Sequence, residues 1–121
     1  MVKALFDTNI LVDYLNAVPE ARTELQRYTE KAVSIITWME VMVGADPDLE
    51  AATRSFLSGF DVVAVDERVA ERAASLRRSH RLKLPDAVIW ATARVHAMLL
   101  VTRNIKDFPD GDPGVRAPYK L

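Results

Sequence analysis

Four stretches of this 121-residue chain place oxygen-bearing side chains where a short apolar run turns into a more polar segment. The first is residues 3–15, KALFDTNILVDYL, where Ala4-Leu5-Phe6 leads into Asp7-Thr8-Asn9 and then into Ile10-Leu11-Val12. A buried strand ending in an acid, with a helix starting directly after it, accounts for that order, and ligands of open α/β sheets gather at the carboxyl ends of the strands. Asp7 can equally be read as a helix N-cap accepting backbone N–H bonds. Glu40 sits among Trp38, Met39, Val41, Met42 and Val43, leaving little polar face to receive it. Burying it unpaired costs several kcal/mol, roughly, unless a proton, cation or metal compensates. The alternative is a capping box with Thr37. Asp86 follows Pro85 and heads the apolar segment Ala87-Val88-Ile89-Trp90-Ala91. A helix N-terminus stabilises such a charge on its own. Behind the apolar run 98–101 come Thr102, Asn104 and Asp107, repeating the pattern of Asp7 or forming a polar turn.

Each group is ambiguous singly. Together Asp7, Glu40, Asp86 and Asn104/Asp107 are expected to meet at one edge of a sheet, where like charges repel and a hard divalent cation with oxygen ligands resolves the repulsion. Mg2+, with Mn2+ as an option, is the expected ion. Zinc is disfavoured because the chain has no cysteine and only His80 and His96, the latter read as a core or interface residue. Carboxylate-bound Mg2+ is the equipment of phosphodiester hydrolysis. Such a substrate needs cations, and the basic tract 77–83 precedes Asp86 while Arg103 and Lys106 flank Asn104.

The elements that must hold these groups can be read in order. Strands are expected at 4–6, 32–36, 60–65 and 98–101, with an edge strand near 117–120. Helices are expected after Asp7, over 19–31, from 38 to 45 behind Thr37, over 48–58 closed by Gly59, from Asp66 into the basic tract, and over 87–97, the last apolar nearly all round and hence central. Asp13, Asp48, Asp61 and Asp66 read as caps or solvated surface. Strands alternating with helices predict one α/β domain over 1–121, a three-layer unit with a parallel central sheet of four to five strands flanked by helices.

Composition narrows the class. Half of the residues are apolar, 27% are charged and the net charge is −1, so nucleic acid would be met by a local basic patch and not by a polycationic surface. The absence of cysteine excludes a disulfide framework. No apolar run approaches the ~20 residues of a membrane span, and Met1-Val2-Lys3 runs directly into the first strand. The expectation is a cytoplasmic protein without a signal peptide or membrane partner.

The stretches FDTNILVDYL (6–15), ITWMEVMVGA (36–45), LPDAVIWATA (84–93) and LLVTRNIKDF (99–108), in this order and spacing, resemble the PIN-domain family. In particular, they resemble the VapC-type toxin ribonucleases of type II toxin–antitoxin modules. The resemblance covers essentially the whole chain and implies a Mg2+-dependent endoribonuclease. It implies Asp7 and Asp86 as metal ligands, Glu40 as ligand of a second ion or orienter of the attacking water, and Thr8 and Thr102 as hydroxyls that order the site. The family's fourth acidic position is Asn104 here, so either its amide oxygen contributes or Asp107 takes over. The resemblance further implies an RNA substrate, a homodimer and a VapB-like antitoxin forming a heterotetramer or larger. The antitoxin's C-terminal segment would fill a groove formed largely by helices over 37–58, with Trp38, Met39, Met42 and Phe56 as apolar contacts. Two other readings are a catalytically silent PIN-like binding module, suggested by Asn104, and a phospho-accepting receiver domain with Asp66 as acceptor. The receiver reading lacks an acidic neighbour for Asp7 and a strand-end lysine.

Overall fold

The computed structural model describes residues 2–109 and 111–121; Met1, which the sequence reading set ahead of the first strand, and Asp110 lie outside them. Five short strands, β1 (Ala4–Phe6), β2 (Lys31–Ser34), β3 (Asp61–Val63), β4 (Leu99–Val101) and β5 (Val115–Arg116), form one sheet in the order β3-β2-β1-β4-β5. Every pairing is parallel, with Leu5 opposite Ala32 on one side and Leu100 on the other. The predicted α/β architecture is therefore the observed one. Among the described residues six α-helices connect the strands: α1 (Thr8–Leu15), α2 (Pro19–Gln26), α3 (Ile35–Gly44), α4 (Glu50–Leu57), α5 (Glu67–His80) and α6 (Leu84–Val95).

Side-chain alternation along each strand assigns the two faces. Leu5, Ala32, Leu100 and Val115 point into one core, with Val69, Ala73 and Leu76 of α5 and Ala87, Ile89 and Trp90 of α6. Ala4, Phe6, Val33 and Val101 point into the other, with Ile10, Leu11, Leu25, Val41 and Leu57. The result is the predicted three layers. Helix α6 is central, as its composition required: residues 87–93 are all buried. Among the described residues no helix is long and apolar enough to cross a membrane.

Several local expectations are corrected. The run 32–36 is not all strand, because Ser34 caps α3 through its hydroxyl, 3.1 Å from the Ile36 N–H. Thr37 is accordingly a buried helical residue and not a cap. The segment 48–58 divides into a 3-10 turn at Pro47–Leu49 and α4. Gly59 follows the Ser58 C-cap without a positive φ. Helix α5 runs through the basic tract to His80 and ends on Arg81 in the left-handed region, φ 55°. Asp66 does cap α5, accepting from the Val69 N–H at 2.9 Å. The edge strand is Val115–Arg116, short of the expected 117–120. His96 is the exposed C-cap of α6 and not a core residue. A receiver domain has the strand order 2-1-3-4-5; the order found here differs, and Asp66 follows the edge strand β3.

Candidate active site

In a doubly wound sheet the crevice lies where the strand order reverses, beyond the carboxyl ends of the strands. Here the reversal falls between β1 and β4. Asp7 is the residue directly after β1, and Thr102 is the residue directly after β4.

Asp7 is only 4% exposed. The N-cap reading holds: Asp7 caps α1, Oδ1 accepting from the Thr8 N–H at 2.8 Å. Oδ2 accepts from the Thr102 hydroxyl at 2.8 Å and from Asn9 Nδ2 at 3.2 Å. Burial pushes the Asp7 carboxyl up to about 6; the bonds from Thr102 and Thr8 oppose the rise, and the charges of Asp86 and Glu40 add to it. Asp86, half-buried in the first turn of α6, is also raised, by burial first and then by Asp107 and Glu40, against the pull of Lys83. Asp7 thus feels the charges of Asp86 and Glu40, and Asp86 those of Asp107 and Glu40.

Glu40 is exposed, contrary to its apolar neighbourhood in sequence, because Met39 and Val43 also face outward, Val43 at 86%. The alternative, a capping box with Thr37, is not what forms: Glu40 Oε1 accepts from the Thr8 hydroxyl at 2.7 Å. Thr8 Oγ1 is also 3.0 Å from Thr37 Oγ1. A threonine has one hydroxyl proton, so Thr8 donates to the carboxylate and receives from Thr37. Asn104 turns inward on its own loop: Nδ2 donates to Asp107 Oδ2 at 2.9 Å, and Oδ1 accepts from the Asp107 N–H at 3.3 Å. The Asn104 N–H in turn donates to Thr102 Oγ1 at 3.0 Å.

The donor set is oxygen only. Among the described residues no three histidine, aspartate or glutamate side chains stand close enough to cage an ion alone. An all-oxygen donor set is the kind a hard divalent cation such as Mg2+ accepts.

Two basic groups differ from expectation. Arg103 forks onto Asp13, Nε to Oδ2 at 2.8 Å and Nη2 to Oδ1 at 3.0 Å, so it is committed within the protein. Arg77 bonds the Leu82 carbonyl. Lys83 is exposed, its charge felt by Asp86, and has no ion pair among the described residues.

Asn9, Asp13 and Tyr119 escaped the sequence reading. Asn9 was signalled by its place beside Asp7; Asp13 looked like surface but is 5% exposed. A groove of about 430 Å³ opens beside Glu40, lined by Val12, Leu15, Val41, Ala45 and Leu49 among others. Trp38, Met39, Met42 and Phe56 are not in its lining. Phe56 instead stacks on Tyr14 at 4.8 Å, and Trp38 and Met42 pack on the core.

Residues 4–111 match the family model described as PIN domain. Ribonuclease VapC10 of Mycobacterium tuberculosis is 32% identical over 113 residues, spanning 87% of this chain and 85% of that protein. A chain in a toxin–antitoxin complex from Klebsiella pneumoniae is 49% identical, with a TM-score of 0.94 over 98% of this chain and 100% of that one. DNA-bound VapBC from Salmonella typhimurium contains a chain 26% identical, with a TM-score of 0.78 and 96% of each chain covered.

Proposed function

This chain belongs to the PIN domain family, and from that premise we propose that it is a VapC-type, Mg2+-dependent endoribonuclease, the toxin of a VapBC-type pair. Its likeness to a ribonuclease and to chains of toxin–antitoxin complexes supports the class. The observation that carries the chemistry is the place of Asp7 directly after β1, beside the β1/β4 reversal, held by Thr102 and Asn9 and within electrostatic reach of Asp86 and Glu40.

Asp7 and Asp86 would hold the ion, with Mn2+ a permissible substitute. When bound, the ion supplies positive charge to the phosphodiester and makes a nucleophile of water near neutral pH. Thr102 and Asn9 hold the Asp7 carboxylate in place. Glu40, fixed by Thr8, orients the attacking water and receives its proton. Asn104 fills the family's fourth acidic position by holding Asp107, which supplies the charge. Lys83 meets a phosphate of the RNA.

The partner is a VapB-like antitoxin seated in the groove beside Glu40. The toxin forms a homodimer and, with antitoxin, a heterotetramer or larger. The chain acts as one nuclease domain in the cytoplasm.

Incubating purified protein with single-stranded and structured RNA tests this reading. Cleavage should require Mg2+, stop on chelation, and be lost in Asp7→Asn and Asp86→Asn. Cleavage that survives chelation or both substitutions would overturn it. A folded wild-type protein that binds RNA or antitoxin but never cuts would leave the silent-module reading.

A further inference from the structure

Arg103 lies between two residues of the site and touches neither acid. Thr102 before it donates to Asp7, and Asn104 after it holds Asp107. Its own N–H donates to Asn9 Oδ1 at 3.2 Å, and its guanidinium forks onto Asp13. Asn9 and Asp13 are four residues apart on α1 and share one face of that helix. One face of α1 therefore grips Arg103 twice, by main chain and by side chain. Tyr119 completes the arrangement, its hydroxyl donating to Asp13 Oδ2 at 2.8 Å. A bidentate arginine–carboxylate pair has a fixed planar geometry, and this one is anchored on a side chain 5% exposed.

We propose that Asp13 is a positioning residue: with Arg103 and Tyr119 it clamps the 102–107 segment so that Thr102 and Asp107 address Asp7 and Asp86. The inference rests on the nuclease reading only for its kinetic consequence. A second buried acid provides a matched control. Glu24 accepts the same fork from Arg116, at 2.7 and 3.0 Å, and a tyrosine hydroxyl from Tyr28 at 2.9 Å; Arg116 meets the 102–107 segment only through its main-chain carbonyl, which accepts from the Thr102 N–H at 3.0 Å.

Asp13→Asn, Tyr119→Phe and Glu24→Gln are compared by hydrogen exchange of the ion-free protein and by cleavage per folded molecule. In Asp13→Asn, exchange should quicken by about tenfold or more in peptides covering 102–108, whose Asn104 and Asp107 amides report the loop, with little change elsewhere. Cleavage kcat should fall by ~10–100-fold with RNA KM within about twofold, as for a small misplacement of reacting groups. Tyr119→Phe, which loses one hydrogen bond, should show the same pattern at roughly 2–5-fold and keeps the test open if Asp13→Asn fails to fold. Glu24→Gln should lose stability but keep kcat and the exchange of the Asn104 and Asp107 amides, which bond within their own segment and not to Arg116. Exchange that rises evenly over the chain in the Asp13 and Tyr119 variants, or kcat equal to that of Glu24→Gln, overturns the clamp. If wild-type protein cuts no RNA, the nuclease reading fails while the exchange data still judge the clamp.

Discussion

Four carboxylates are tied into the body of this protein or its strand-end crevice, and they are compensated in two opposite ways. Asp13 and Glu24 each face a bidentate arginine and a tyrosine hydroxyl. Burial works against the Glu24 charge, but Arg116 and Tyr28 outweigh it and hold that carboxyl below its ordinary range. Asp7 and Asp86 have no ion pair among the described residues and are pushed up by burial and by their acidic neighbours. Arginine closes the first pair of sites permanently. Hydroxyl and amide groups hold Asp7 without neutralising it, and under the proposed function a bound ion would meet the charge of both.

The widest separation between the two regions should appear in activity. Asp7→Asn should lower RNA cleavage by about 10³-fold, since several kcal/mol of charge stabilisation converts at ~1.4 kcal/mol per decade of rate. The same substitution should stabilise the ion-free fold at neutral pH, because the asparagine carries no charge to repel Asp86 and Glu40. Urea unfolding beside single-turnover cleavage checks both signs. Arg116→Met should do the reverse, costing about 3–5 kcal/mol by leaving Glu24 buried and unpaired, with cleavage per folded molecule retained. If the two variants move stability in the same direction, the division into closed and open carboxylates fails.

Next in size is the pH dependence of stability. Asp7 binds its proton more tightly folded than unfolded, with its carboxyl near 6 against 3.8. Its stabilising contribution is thus complete below the unfolded value and lost as pH rises towards 6 and beyond. At ~1.4 kcal/mol per unit the loss approaches about 3 kcal/mol. Glu24 has the opposite sign: its contribution is present above the ordinary 4.5 and disappears as pH falls through its lowered folded value. Ion-free protein followed by urea unfolding from pH 3 to 8 should therefore rise and then decline. Asp7→Asn should remove the decline between about 4 and 6. Saturating Mg2+ should raise the melting temperature at pH 7, do so far less at pH 5, and not at all in Asp7→Asn, by linkage to the ionised carboxylate.

The open region was largely legible in the sequence and the closed region was not, for a physical reason. Asp7, Asp86 and Thr102 sit at junctions between apolar runs and polar segments, and such a junction is a local signal. The partner of Asp13 is 90 residues away and that of Glu24 is 92 away, so their neighbours show only an ordinary amphipathic face. Arg103 misled for the same reason: beside Asn104 it looks free to meet phosphate, and only the fold brings α1 across to bind it. Glu40 misled differently. Its helix appeared wholly apolar because Met39 and Val43 are exposed, a property of the outer surface that residue type does not encode.

The smallest expected effect separates a free cation from a committed one. Lys83 is exposed and its charge draws Asp86 downward, against burial and the neighbouring acids. Lys83→Gln should leave the fold intact and raise the RNA KM a few-fold, reducing the slope of log affinity against log salt by about 0.7–1, the signature of one phosphate contact. Arg103 carries the same formal charge, but its guanidinium is already paired with Asp13. Tyr119→Phe, which loosens that pair without removing a charge, should leave the salt slope unchanged. Binding of RNA to the non-cleaving Asp86→Asn background, measured across salt concentrations, reads both variants without turnover. A slope that falls for Tyr119→Phe would show Arg103 reaching phosphate despite Asp13; a slope indifferent to Lys83 would place the RNA backbone away from the start of α6.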